Sequence, residues 1–493
     1  MIPAVLHKAP KVRSHMPVLQ VSNKHIFLFS PPDSIHVCPY LNLTSRKLYG
    51  VNMEDSNRPT FEGLPVELQI SILFNIDDLD SLRSLVFASP TYHRAYQLVR
   101  QELLYVLLQS TYDGLVDIAD AVAAVRSRGL YAIKPSNRAK IIALLDSRRR
   151  SEEIRCLGLS SWPFPDEPAD IRETIQLLHL HEKAIFLLDD YTRTAARPEW
   201  IDLEKWKNEI LPRTLSRTEQ RRFLRAFYRM QTYGNIFGPI ELPLGADYVE
   251  EENDWFHDWG GRTPTFTDEE MWRLFFGPMA PWEVEEFSCF WRHCYHRWEE
   301  PYLEISKSLA AYVAPGVIFF SDLPPEERPP LNRLGLDIDH MHIHQDEHRE
   351  ILAYMVPTFL VKILREQDFR TRRDLLLANI VIHNHSFAEY WPKPSWNEAG
   401  ALPLLYPADR FDFGTDVSGL KAYLETLPLH ERPNIAWTQQ WLDAELESPQ
   451  VFEDMYSYAP NSRCWNWGYA IWDDERLIEW GAMDHLEPPW DVD

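Results

Sequence analysis

The stretch Leu64-Pro65-Val66-Glu67-Leu68-Gln69-Ile70-Ser71-Ile72-Leu73-Phe74, followed shortly by Asp78-Leu79-Asp80-Ser81-Leu82-Arg83-Ser84-Leu85-Val86, decides how the chain is read. Its apolar residues recur three and four apart, the period of an α-helix. Leu64, Leu68, Ile72 and Ile76 form one stripe, and Val66, Ile70 and Leu73 carry apolar surface further round the cylinder. Only Glu67, Ser71 and Asn75 keep a narrow polar strip. A first helix is placed from Pro65, because the first turn has no use for the amide hydrogen that proline lacks. A second starts at an Asp78 or Asp80 cap and runs through Leu79, Leu82, Leu85 and Val86. Ser89 caps a third with Pro90 at its first position, and Tyr92, Tyr96, Val99 and Leu103 line its buried face.

A helix apolar over more than half its circumference needs burial on two sides. Its neighbours in a three-helix unit of about 40 residues cover only one of them. The other side calls for the rest of the chain or for a second protein. The pattern Leu64-Pro65-x-Glu67-Leu68-x-x-x-Ile72-Leu73, then Asp78-Leu79-x-Ser81-Leu82-Arg83-x-Leu85-Val86, resembles the F-box. The order of elements is similar to that of F-box-like proteins of filamentous fungi, in which a long helical region follows the box. This resemblance implies a non-catalytic adaptor. The module would dock onto the Skp-type adaptor of a cullin–RING ubiquitin ligase through Leu64, Pro65, Leu68, Ile72, Leu73, Leu79, Leu82 and Leu85, and the region downstream would hold an unknown protein client. Many F-boxes carry a basic residue and a Trp in the third helix. Here Ala88-Ser89-Pro90-Thr91-Tyr92 stands instead, with Tyr92 or Tyr96 as candidates for the aromatic role.

The remainder of the sequence fits a large, mostly α chain. Its 493 residues carry 50 Lys plus Arg against 74 Asp plus Glu, a net charge of −24, which disfavours nucleic acid and anionic membranes as partners. Residues 1–53 hold six basic side chains against Asp33 alone; that +5 leaves −29 on everything after it. Residues 1–59 are read as a basic, flexible tail, since Pro3, Pro10 and Pro17 break any amphipathic helix there. The 18 tryptophans require a packed body. Only 18 glycines argue against phosphate-cradling loops, and five cysteines without a C-x-x-C pair fit a reducing, intracellular compartment, cytoplasm or nucleus. No apolar run reaches the ~18–20 residues of a membrane helix.

Capping signals place further helices. Capping boxes are expected at Ser216-Arg217-Thr218-Glu219 and Thr267-Asp268-Glu269-Glu270, and left-handed C-terminal caps at Gly129, Gly234 and Gly277. Helices are expected over about 113–128, 136–150, 168–196, 216–233, 281–313, 345–367, 371–382, 417–427 and 438–447. The expected organisation is therefore a tail at 1–59, a three-helix F-box-like module at 60–105, and an irregular all-α domain at 106–322. A proline-rich strap or linker at 323–330 and a helical region at 331–493, with an acidic, aromatic C-terminus, complete it. The acid-rich stretches at Asp247–Asp258 and from Asp473 onward, interleaved with tryptophans, read as solvated loops or as docking surfaces for basic partners.

One pattern competes. His344-x-x-Glu347-His348 matches the inverted zincin arrangement, in which two histidines one turn apart bind zinc and the glutamate is a general base. Glu425, 77 positions beyond His348, is spaced like the third ligand of insulinase-like peptidases. Such a five-residue pattern arises by chance in on the order of 5% of chains this rich in histidine. A zinc metallopeptidase is thus the alternative to the adaptor, with a scaffold lacking any ubiquitin role as a third reading. Cys289, His293 and His296 share a helix face, but with Phe287, Phe290, Trp291 and Trp298 around them they read as core. No catalytic residue, metal ligand or cofactor is assigned.

Overall fold

The computed structural model describes residues 61–112, 115–146, 168–244, 266, 268–276, 279–313, 316–329, 338, 345–380, 417–443 and 462–486. The chain divides into two units, 1–59 and 60–493, and all of the described residues belong to the second. Among them the architecture is an irregular all-α arrangement without strands, as the periodicity implies. The main helices are α1 (Val66–Phe74), α2 (Leu79–Ala88), α3 (Pro90–Tyr112), α4 (Ile118–Arg126), α5 (Ile171–Thr194), α6 (Arg217–Ile236) and α7 (Pro281–Arg297). They continue with α8 (Glu299–Val313), α9 (Gln345–Tyr354), α10 (Pro357–Arg365), α11 (Phe369–Ile380), α12 (Val417–Thr426), α13 (Ser462–Asn466) and α14 (Asp474–Glu479). No described helix is long and apolar enough to cross a membrane.

Local chemistry sets most of these boundaries. Ser216 and Glu219 form the expected capping box on α6, Asp170 caps α5 by accepting from the Glu173 amide at 2.8 Å, and Gly129 takes a left-handed φ of 80°. The expected box at Thr267 and the cap at Gly277 lie outside the described residues. Two long helices expected from the sequence are each two helices. The 281–313 run breaks at Trp298, one turn before Pro301, whose ring would strike the carbonyl four residues back. The 345–367 run breaks ahead of Pro357 in the same way. Gly234 is no cap: α6 continues past it to Ile236. A Cβ there would sit 3.0 Å from the Val356 amide nitrogen, so this glycine lets α6 approach the backbone leading into α10.

Helix α6 is enclosed by α4, α5, α7 and α10, and nearly its whole circumference is buried. Its sequence nevertheless places Arg222, Arg225 and Arg229 inside. Arg225 Nη1 donates to Glu283 Oε1 at 2.7 Å, and Arg225 Nε and Nη2 grip Glu286 in a fork at 2.9 and 2.7 Å. Arg229 Nη1 reaches the other Glu283 oxygen at 2.7 Å, and its Nε reaches Asp120 of α4 at 3.1 Å. Arg222 donates to the Trp472 carbonyl at 2.9 Å and to Asp473 at 3.3 Å. Burial opposes the charge on Arg225, but Glu286, Glu283 and Glu431 outweigh it and hold the guanidinium above its ordinary pKa.

The proline-rich segment expected as a strap or linker packs within the unit 60–493. Leu323 is buried, Arg328 Nε donates to the Leu323 carbonyl at 2.8 Å, and Glu327 pairs with Arg370 and Arg373 of α11. The chain beyond Ser462 is likewise drawn in. Trp465, Trp467, Trp472 and Trp480 are buried, with Trp472 stacked on Tyr191 of α5 at 5.2 Å. Trp472 and Trp480 are therefore core side chains and not an exposed aromatic display; the stretch Asp247–Asp258 lies outside the described residues.

Buried ion pairs are costly to break singly, because the abandoned partner keeps its desolvated charge. Glu283→Ala removes a carboxylate that serves both Arg225 and Arg229. It is expected to lower unfolding free energy by about 3–5 kcal/mol, measured as a shift of the denaturant midpoint.

Candidate functional site

In the first three helices, α1 and α2 both pack on α3. Pro65 stands one residue ahead of α1, as its cap, and its carbonyl accepts from the amides of Leu68 and Gln69 at 3.0 and 3.1 Å. Asp78, not Asp80, caps α2: its Oδ1 accepts from the Ser81 amide at 2.7 Å, and hydrogen bonds from Ser81 hold its carboxyl below the ordinary value. Ser89 precedes α3, but its hydroxyl has no hydrogen-bond partner, so the cap expected of that side chain is not made.

The eight residues expected at the docking surface separate by depth. Leu73 and Leu82 are fully internal, packed with Val86, Tyr92 and Ala95 of the same three helices. They support the module from within and do not reach its surface. Burying a leucine this way stabilises by about 1.5–3 kcal/mol. Leu64, Ile72, Leu79 and Leu85 are half-buried at the rim, Pro65 is exposed, and Leu68 is 51% exposed. Tyr92 is buried and Tyr96 half-buried.

Three further exposed apolar residues of α1, α2 and the turn ahead of them were not among the expected docking residues. Phe61 is 73% exposed in the short turn ahead of α1, Val66 is 41% exposed, and Phe87 on α2 is 76% exposed with Arg83 over its ring. The turn carrying Phe61 is pinned by Gln69, whose buried amide donates to the carbonyls of Leu64 at 2.8 Å and Glu62 at 3.3 Å. Phe87 had a legible signal: on α2 the buried positions are Leu82 and Val86, and the residue after Val86 points about 100° away from them. Single exposed apolar residues need no explanation. Leu68 beside the half-buried Leu64 and Ile72, with Phe61 and Pro65 exposed just ahead of α1, is a different matter.

Helix α3 runs on without interruption from this module into the body, where Leu103, Leu104, Leu107 and Leu108 pack and Tyr112 donates to the Leu177 carbonyl of α5 at 3.0 Å. The boundary expected at 105/106 thus falls inside a helix. Sequence patterning could not separate them, since one amphipathic period serves both halves.

The metal-binding alternative finds little to build on. His340, His342 and His344 and the pair His383 and His385 lie outside the described residues. His348 is buried on α9 with Nδ1 at 2.8 Å from the Tyr302 hydroxyl. Glu425 is on the exposed side of α12, its carbonyl bound by Arg432. Among the described residues no three possible ligands come together. On α7, Cys289 and His293 are core side chains. His293 stands edge-on to Tyr191 at 5.0 Å, and burial pushes its pKa down to about 3. His296 meets Asn466 at 3.3 Å.

Compared with protein-family models, curated proteins and solved structures, the chain matches none.

The depth difference within α1 has a measurable consequence. Leu73→Ala is expected to cost about 2–5 kcal/mol of stability, whereas Leu68→Ala stays within about 0.5 kcal/mol. Equilibrium denaturation of the two variants reads this directly.

Proposed function

We propose that the chain is a protein-docking adaptor, the F-box-like subunit that joins a Skp-type adaptor of a cullin–RING ubiquitin ligase to a protein client held by the helical body. The observation that carries this reading is the apolar stripe left open on α1, Leu68 flanked by the half-buried Leu64 and Ile72, with Phe61 and Pro65 exposed just ahead of the helix. The interior beneath it, Leu73 and Leu82, is already filled, so the face is not a defect of folding. Leu79 and Leu85, half-buried on α2, extend the rim. Covering three or four such side chains yields about 1.5–3 kcal/mol each before the costs of association and ordering. The function so proposed belongs to the cytoplasm or nucleus, needs no cofactor of its own and makes no use of the histidine-rich segment.

Co-purification of the full chain with the Skp-type adaptor tests it. Leu68→Asp places a charge on the open face and is expected to weaken recovery at least about tenfold, equivalent to 1.4 kcal/mol, while the thermal melt of the variant matches the wild type. Undiminished capture by the folded variant removes the docking assignment.

A further inference from the structure

Helix α7 presents three glutamates within one turn, and they have different surroundings. Glu283 and Glu286 face the arginines of α6. Glu285 points elsewhere, into the chain beyond Ser462, and is only 3% exposed. Its Oε2 accepts from Trp465 Nε1 at 2.6 Å and from the Tyr469 hydroxyl at 2.8 Å. Both donors are neutral, and among the described residues no cation pairs with this carboxyl. A buried carboxyl without a counter-charge favours its protonated form, which keeps one oxygen as an acceptor for both donors.

The same contact lies where the C-terminal segment meets the body. Around it, Arg292 of α7 donates to Asn466 at 2.5 Å, Arg222 of α6 holds the Ile471 and Trp472 carbonyls, and Asn434 donates to the carbonyls of Tyr469 and Trp472. We infer that Glu285 makes residues 462–486 a proton-dependent clasp on the helical body, tight with the carboxyl protonated and loosened when it ionises. Opening the segment lets water reach the carboxylate, so ionisation favours the open form.

The groups facing this site do not supply the charge it lacks. On α7, Cys289 is a buried thiol whose pKa burial pushes well up, Glu286 is committed to Arg225, and Arg292 and His296 sit further along against Asn466. The segment itself contributes Cys464, Tyr469 and Asp473, the last already paired with Arg222 of α6. From α5, Tyr191 has a pKa held far above its ordinary value by burial. Burial raises the Glu285 pKa to about 7, against the two hydrogen bonds that lower it. The folded value lies above the ordinary carboxyl value, so the proton's contribution to closure is complete in acid, declines as pH rises from about 4.5, and is gone by about 7. His296 works in the opposite direction: burial lowers its pKa, so acid disfavours its buried place, although its hydrogen bond to Asn466 favours the charged ring.

Hydrogen exchange of the full-length chain, followed at the amides of residues 462–472 from pH 5 to pH 8 and corrected for intrinsic exchange, measures the opening equilibrium. Opening is expected to increase about 50-fold over that range and to level off above pH 7. In Glu285→Gln, whose amide still accepts from Trp465 and Tyr469, the rise is expected to vanish and the segment to be better protected than wild type at pH 8. A flat wild-type profile, or an undiminished rise in Glu285→Gln, overturns the assignment. Tyr469→Phe provides a second reading that does not depend on the first variant folding. Loss of one donor to the carboxylate is expected to move the levelling point to higher pH, and an unmoved profile likewise overturns it.

Discussion

The three arginines that α6 carries into the core, Arg222, Arg225 and Arg229, are the interaction on which the other helices depend. A guanidinium cannot give up its proton at any accessible pH. Once α6 occupies the centre, the elements facing these arginines must therefore present carboxylates or carbonyls at the right places. Asp120 of α4, Glu283 and Glu286 of α7, Glu431, and the carbonyls of Ile471 and Trp472 meet that demand. Hydrophobic packing would tolerate many rotations of these helices about one another. Forked hydrogen bonds at 2.7–2.9 Å do not, so the network selects one arrangement among several of similar apolar burial.

This interaction was the least legible part of the sequence. Arginines at i, i+3 and i+7 along 217–236 carry no local sign of burial, and their partners lie between 54 and 251 positions away, beyond any local pattern. The helix itself was plain, because Ser216 and Glu219 act through neighbouring amides and periodicity is a local property. Gly234 shows the same division: a glycine near the end of a helical pattern reads as a cap, but the reason for it, the Val356 backbone, sits over a hundred residues downstream. Prolines within the expected helices at 281–313 and 345–367 were visible, yet whether a proline begins a helix or ends one depends on what packs there.

For the first three helices, the sequence made the excess of apolar surface on α1 evident but not its direction. Leu68 and Leu73 look equivalent in a helix that is apolar nearly all round. Only the crossing of α3 over α1 decides that Leu73 is covered and Leu68 is left open. Phe61 escaped attention because it lies outside the helical period, in a turn whose position is fixed by the buried Gln69 amide.

The unbroken course of α3 determines what any occupant of that face would experience. At 1.5 Å per residue its 23 residues form a strut of about 34 Å, anchored at one end among Tyr92 and Ala95 and at the other by Tyr112 on α5. A strut of this kind has no swivel. A protein seated on α1 would hold the entire helical body at one bearing, with the reach and azimuth of its far surfaces set by helix phase. One residue added to the middle of α3 would turn that bearing by about 100° without touching either end.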